Sequence, residues 1–168
     1  MRRFLRSLLI IVIGFIVAAA ALIWEGTTLE SMLPVGDVPV IDFATVERGP
    51  DPNQYLLCPK GMCTGETDGE APVFDVPVEQ LQVAWDEMLA EQPRLEVLRR
   101  DVTNTQIDYV QRTRLLRFPD LITVRFVPID DTRSTLAIFG RSVYGKGDMG
   151  VNRKRVEEWL ARVQAKIG

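Results

Sequence analysis

Histidine is absent from all 168 residues. With it go the Ser-His-Asp and Cys-His triads, the imidazole general base and every metal site built on imidazole. Cysteine is scarce, with two residues, Cys58 and Cys63. An excess of positive charge is also missing: 20 Lys and Arg stand against 23 Asp and Glu, for a net charge of −3. Arg2, Arg3 and Arg6 precede the first carboxylate, so the remainder holds 17 basic against 23 acidic residues, a net of −6. A nucleic-acid partner is therefore not expected, because such binders read basic. No Asp/Glu pair stands out for hydrolytic chemistry. There is no internal repeat. No catalytic residue, cofactor or metal is assigned, and an enzymatic role is disfavoured.

What is present begins with one long apolar run. Ser7 to Trp24 is uncharged and rich in Leu, Ile, Val and Ala, and at about 1.5 Å per residue it approaches the ~30 Å of a bilayer's hydrocarbon core. Basic residues before it and Trp24 at its end predict a single-pass anchor with membrane lipid as partner. The site would be the inner membrane, with the C-terminal domain in the periplasm. A cleaved signal peptide ending near Ala18-Ala19-Ala20-Ala21 is the alternative. The expected organisation is an anchor over 1–24, an extended linker over 25–52 and one α+β domain over 53–168. The linker carries Pro34, Gly36, Pro39, Gly49, Pro50 and Pro52 with no helical period. Its Val38, Val40, Ile41, Phe43 and Val46 predict that part of it lies along the domain as an extended strand.

Cys58-Pro59-Lys60-Gly61-Met62-Cys63 is a short loop turned by Pro and Gly. In an oxidising compartment two cysteines so close predict a disulfide, worth about 2 kcal/mol in the chain-entropy model. A thiol-redox or soft-metal site using Met62 as a thioether is the second reading. The spacing matches neither Cys-x-x-Cys nor a repeated zinc pattern.

In the domain, Pro72–Val76 reads as a short strand. Val78, Leu81, Trp85, Met88 and Leu89 recur at helical spacing until Pro93 ends the pattern. Four strands follow without a helix between them, near 95–101, 106–118, 121–129 and 134–144, joined by turns such as Val102-Thr103-Asn104-Thr105 and Pro119-Asp120. The alternation in 121–129 predicts one buried face. A last helix buries Val156, Trp159, Leu160, Val163 and Ile167. The expected fold is α+β, an N-terminal transmembrane helix plus a two-layer sandwich of an antiparallel four- to five-stranded sheet with two helices on one face.

The last helix opens on a glycine-rich loop and three cations: Lys146, Asp148, Asn152, Arg153, Lys154 and Arg155 lie within ten residues. A helix N-terminus already carries roughly half a positive charge and unpaired N–H groups, so cations crowded there need acidic partners or a bound anion. With Asn152 as candidate N-cap, this is the chemistry of an anion cradle for phosphate, carboxylate or a headgroup. The competing reading pairs Arg153 and Arg155 with Asp148, Asp120 or Glu157. A second cluster, Arg112, Arg114 and Arg117, joined by Arg94, Arg99 and Arg100, reads as a solvated face or as a contact for anionic lipid.

Arg141-Ser142, Gly145 and Asp148-Met149-Gly150-Val151-Asn152-Arg153-Lys154-Arg155-Val156-Glu157 resemble the C-terminal signature of domain-of-unknown-function family 1499. The resemblance extends to the helix around Trp85, to Thr113-x-x-x-x-Phe118 with Pro119-Asp120, and to Arg125, covering about Tyr55 to Ile167. Departures are Val143, Lys146 and Gly147, where the family usually shows Arg and a Tyr-Ser pair, and a cysteine loop without Pro-Asn-Cys-Val-Ser-Ser. The resemblance implies a fold and an exported or membrane-anchored setting, with no established activity. The functional expectation is a non-enzymatic module binding an amphipathic or anionic small molecule, lipid or envelope protein. Asn152, Arg153, Arg155, Asp148, Lys146 and Arg141 are its candidate ligand-binding residues.

Overall fold

The computed structural model describes residues 2–24, 29–103 and 105–168, and for residues 2–5, 21–24, 29 and 30 it describes the backbone alone. The expected roles of the Arg2 and Arg3 side chains, of Trp24, of residues 25–28 at the start of the linker and of Asn104 in its turn fall outside what is described. The chain divides into two compact units, Met1–Pro34 and Val35–Gly168.

The first unit holds helices α1 (Arg2–Trp24) and α2 (Leu29–Met32). Among the described residues no helix is long and apolar enough to cross a membrane. This corrects the expected anchor. The lipid partner held through that helix, the single-pass inner-membrane placement and the periplasmic side assigned to the rest all depended on it and are set aside with it.

The second unit is built on one seven-stranded sheet. Its strands are β1 (Gln54–Cys58), β2 (Gly69–Glu70), β3 (Val73–Phe74), β4 (Leu95–Arg100), β5 (Gln106–Arg112), β6 (Pro119–Pro128) and β7 (Ser134–Ser142). The order is β2-β1-β7-β6-β5-β4, with β3 also paired to β7. β1 and β2 run parallel while the other pairs are antiparallel. The expected purely antiparallel sheet of four to five strands is thus corrected to a mixed one of seven. The two strands left out of that expectation lie around the cysteine loop. Gly69–Glu70 is too short to show an alternation, and in β1 Tyr55 to Cys58 are all buried, so apolar alternation is absent there too.

Helices α3 (Val78–Ala90) and α4 (Val151–Ile167) pack on one face. Trp85 is fully buried and meets Trp159 at 5.8 Å and Phe126 at 5.9 Å in edge-on geometry, the favourable arrangement for ring quadrupoles. Leu81, Met88, Tyr109, Ile122, Val124, Leu136, Ile138 and Val156 complete this core.

The other face is buried as well, which corrects the expectation of one wet face. Phe43 is 0% exposed and clusters with Leu56, Cys58, Ala137 and Phe139, with Ile41 and Val46 against them. Residues 35–52 thus cross this face as an irregular strap that joins no strand. Gln106 Nε2 donates to the Ile41 carbonyl at 2.8 Å, and Arg99 donates to the Val38 and Pro39 carbonyls, tying the strap to the sheet. Beneath it runs a buried polar row. Asp108 is paired with Arg99 and accepts from Thr123 Oγ1 at 2.6 Å.

Strand β5 stops at Arg112, short of its expected end. Thr113 and Phe118 close the following loop on themselves: the Thr113 amide donates to the Phe118 carbonyl at 2.9 Å and the Phe118 amide to Thr113 Oγ1 at 3.0 Å. Arg117 takes a left-handed φ of 57° there. The loop projects Leu115 and Leu116 outward, 81% and 57% exposed.

Candidate ligand-binding site

The start of α4 is organised by a carboxylate. Asp148 accepts from the Gly150 amide at 2.9 Å and the Asn152 amide at 2.8 Å, so a negative side chain of the fold already occupies the positive end of the helix. Gly150, at φ 77°, is the N-cap residue. Asn152, expected in that role, is the second residue of the helix and is 1% exposed. Its side-chain Nδ2 donates to the Asn53 carbonyl and to Ser142 Oγ, both at 3.1 Å. Gly140 makes room for it, since a Cβ there would stand 2.9 Å from Asn152 Oδ1.

Arg155 points inward, and each of its three side-chain nitrogens is bonded. It donates to Asp120 Oδ2 at 2.5 Å, Asn152 Oδ1 at 2.6 Å and Gln111 Oε1 at 2.6 Å. Arg153 points outward, donating to Glu157 Oε1 at 2.8 Å with its guanidinium 5.9 Å from the Tyr55 ring centroid. The bond to Glu157 raises the Arg153 pKa, and burial, followed by the Glu157 charge, raises that of Tyr55. Asn152, Arg153, Arg155 and Asp148 therefore come together as a bonded brace between helix and sheet. Lys146 is exposed on the preceding loop. Arg141 lies on the opposite, strap-covered face. Its guanidinium sits 5.2 Å from the Phe139 ring centroid and bonds Thr123 at 3.5 Å, its Nη2 is buried without a partner, and burial lowers its pKa. The structure does not bring it to the other five.

Lys154, between the two paired arginines, has a different environment. It lines a cavity of about 350 Å³ with Arg94, Arg112, Arg114, Arg155 and one carboxylate, Glu158. Arg94 is fixed in a left-handed φ of 56°. Its Nε donates to the Arg112 carbonyl at 3.0 Å, and the Arg112 amide donates back to the Arg94 carbonyl at 3.1 Å. Among the described residues, Arg94, Arg114 and Lys154 have no carboxylate at ion-pair distance. Part of the second basic cluster of the sequence is thus gathered with a residue of the first.

Adjoining this groove is an apolar cleft of about 490 Å³ lined by Leu115, Leu116, Phe118, Tyr144, Met149 and Val151, sharing Thr113, Arg114 and Val151 with it. Met149 is fully exposed in a left-handed φ of 53°. The Asp148 carboxylate holds the turn around it, so a sparsely populated backbone conformation is stabilised at the lip of the cleft. Reasoning from sequence passed over Leu115, Leu116 and Met149. The available sign was two adjacent leucines between Arg114 and Arg117, a pair that a two-residue alternation cannot bury on one face.

Cys58 and Cys63 are bridged, with Cα atoms 6.1 Å apart, and Cys58 is 4% exposed beneath the strap. Among the described residues no three of His, Cys, Asp or Glu converge so as to hold a metal ion.

A model of the family described as "Protein of unknown function (DUF1499)" matches residues 71–163, from just before β3 to near the end of α4. No curated protein matches the chain.

Proposed function

This chain belongs to the DUF1499 family, and from that premise and the geometry of its two adjoining cavities we propose that it is a non-enzymatic module binding an amphipathic small-molecule anion. The observation that carries the reading is the shared wall: one apolar cleft and one cation-lined groove meet at Thr113, Arg114 and Val151. Each is within the roughly 300–1,000 Å³ usual for small-ligand sites. Apolar side chains as exposed as Leu115 and Met149 gain when a ligand covers them, by about 25 cal/mol per Å². The basic brace expected to take the anion is spent on Asp120 and Glu157, so the anionic end falls to Arg94, Arg114 and Lys154 instead.

The test uses 1-anilinonaphthalene-8-sulfonate, itself an amphipathic anion. Wild type is expected to enhance its fluorescence saturably, and Leu115→Asp or Met149→Asp to abolish most of the enhancement. Val40→Asp, which removes an apolar side chain 74% exposed on the strap across the other face of the sheet, leaves it intact. Equal loss in all three variants would refute a localised site. A thiol-redox role for Cys58 and Cys63 is the weaker reading, because a sulfur buried with Phe139 and Ala137 is poorly placed for thiolate exchange.

A further inference from the structure

We infer that a second cavity, on the strap-covered face of the sheet, binds a short apolar peptide with free ends, at a site independent of the cleft and groove above. The cavity, of about 620 Å³, opens between the cysteine loop, β3 and the end of β6. Its floor follows from register. Val127 pairs with Thr135, and Thr135 with Val73, so the three form one row, on the face away from Phe126 and Leu136 of the helix-side core. Thr135 Oγ1 donates to the Pro72 carbonyl at 2.8 Å, which spends its one donor and leaves the floor mainly apolar. Met62 and Ile129 extend that apolar lining. One wall is fixed covalently: the Cys58–Cys63 bridge closes the loop, and the Met62 amide donates to the Pro59 carbonyl at 3.1 Å. A ligand therefore has little left to order on binding.

The rim identifies the ligand's ends. Arg125 pairs with Ala137 on β7, Glu70 pairs with Cys58 on β1, and the β1–β7 register continued by one residue sets Cys58 beside Ala137. Glu70 and Arg125 thus terminate a single row next to the floor, three strand spacings apart, or about 14 Å at ~4.8 Å each. Both side chains face the cavity, which they line; a Cβ at the preceding Gly69 would meet Leu57 of the helix-side core at 3.2 Å, and alternation turns Glu70 the other way. Among the described residues, Lys60, Glu70 and Arg125 form no ion pair. A ligand with an ammonium for Glu70 and a carboxylate for Arg125 matches this rim, since a guanidinium presents paired donors to a carboxylate. The separation is too wide for one amino acid. Three residues of extended chain span up to about 10 Å, and the two side chains supply the rest. A monoanion of the kind taken by the first site meets Glu70 here with no cation to offset it.

Isothermal titration of the full chain with four probes tests this: the tripeptide Val-Ala-Val, its N-acetylated form, its C-amidated form and valine. The free tripeptide is expected to bind about tenfold more tightly than either blocked form, a difference of about 1.4 kcal/mol, and valine far more weakly. Glu70→Gln should bind the free and acetylated peptides alike, and Arg125→Gln the free and amidated peptides alike, with thermal unfolding unchanged, both side chains being exposed. Leu115→Asp, in the first site, should leave all four affinities as they are. Equal affinity for free and blocked peptides, or no binding of the free tripeptide, would overturn the proposal. Valine binding as tightly as the tripeptide would overturn the two-ended grip, and an end preference kept by both rim variants would overturn the roles of Glu70 and Arg125. Tripeptide binding lost in Leu115→Asp would place the peptide in the first cleft and overturn the second site.

Discussion

Arg153, Lys154 and Arg155 are consecutive, and a helix turns each about 100° from the last, so three adjacent cations meet three environments. Arg155 enters the protein and is matched by Asp120. Arg153 lies along the helix surface and is matched by Glu157. Lys154 lines a groove with Arg94 and Arg114, and among the described residues none of these three has a carboxylate at ion-pair distance. The density of positive charge at the start of α4 is therefore not one feature but two, an internally balanced brace and one wall of an unbalanced groove. What separates them is the local supply of carboxylates, which depends on strands distant in the chain.

Breaking the brace has the largest expected effect. Asp120→Ala strands Arg155, whose side chain is 9% exposed, and removing one partner of a buried pair typically costs about 3–5 kcal/mol. Urea unfolding should show that loss as a shift in midpoint with an unchanged slope. The groove behaves in the opposite sense: Arg114→Ala is expected to leave the urea midpoint unchanged and to weaken binding of 1-anilinonaphthalene-8-sulfonate about tenfold, or about 1.4 kcal/mol in binding alone. Arg153→Ala sharpens the comparison, since an exposed i,i+4 pair contributes roughly 0.3–0.5 kcal/mol. Calorimetry should therefore find both stability and affinity nearly unchanged.

The smallest effect is on pH dependence. Burial, and after it the Glu157 carboxylate, raises the Tyr55 pKa, with Arg153 opposing. A folded value above the unfolded one means that this contribution is complete below the unfolded pKa of about 10 and is lost as pH rises through the folded value. Tyr55→Phe should make the fall in melting temperature between about pH 9 and pH 11 shallower than in wild type. An identical slope would show that the phenol is not coupled to the brace.

Much of the second unit was legible from local pattern. The apolar spacing from Val78 to Leu89 and from Val156 to Val163 marks α3 and α4, because 3.6-residue periodicity survives in a helix packed on one side. The four strands after Leu95 were legible as successive β segments with no helix between them, although β5, β6 and β7 are buried on both faces and Pro119-Asp120, expected as a turn, opens β6. Legibility fails where two-sided burial falls on a short strand or where contacts are remote. β1 shows no alternation because its residues from Tyr55 to Cys58 are all buried. The strap conceals Phe43 without forming a strand, and nothing nearby in sequence marks Asp108 and Thr123 as partners across two strands. At the site, the paired arginines were legible as cations with acidic partners to hand. The groove was not, since Arg94 and Lys154 are 60 positions apart and only the sheet brings them together. The apolar run before residue 25 reads as a membrane span by composition, yet no described helix meets the length and apolarity required.

The most direct test of the central claim is a residue-resolved amide NMR titration of the full chain with 1-anilinonaphthalene-8-sulfonate. Shifts are expected to cluster at Arg94, at Thr113 to Phe118 and at Gly147 to Lys154, with Lys60 to Cys63 and Val40 to Phe43 unmoved. Shifts centred on the cysteine loop or the strap, or no saturable shift at all, would contradict the claim that the cleft and groove form one ligand site.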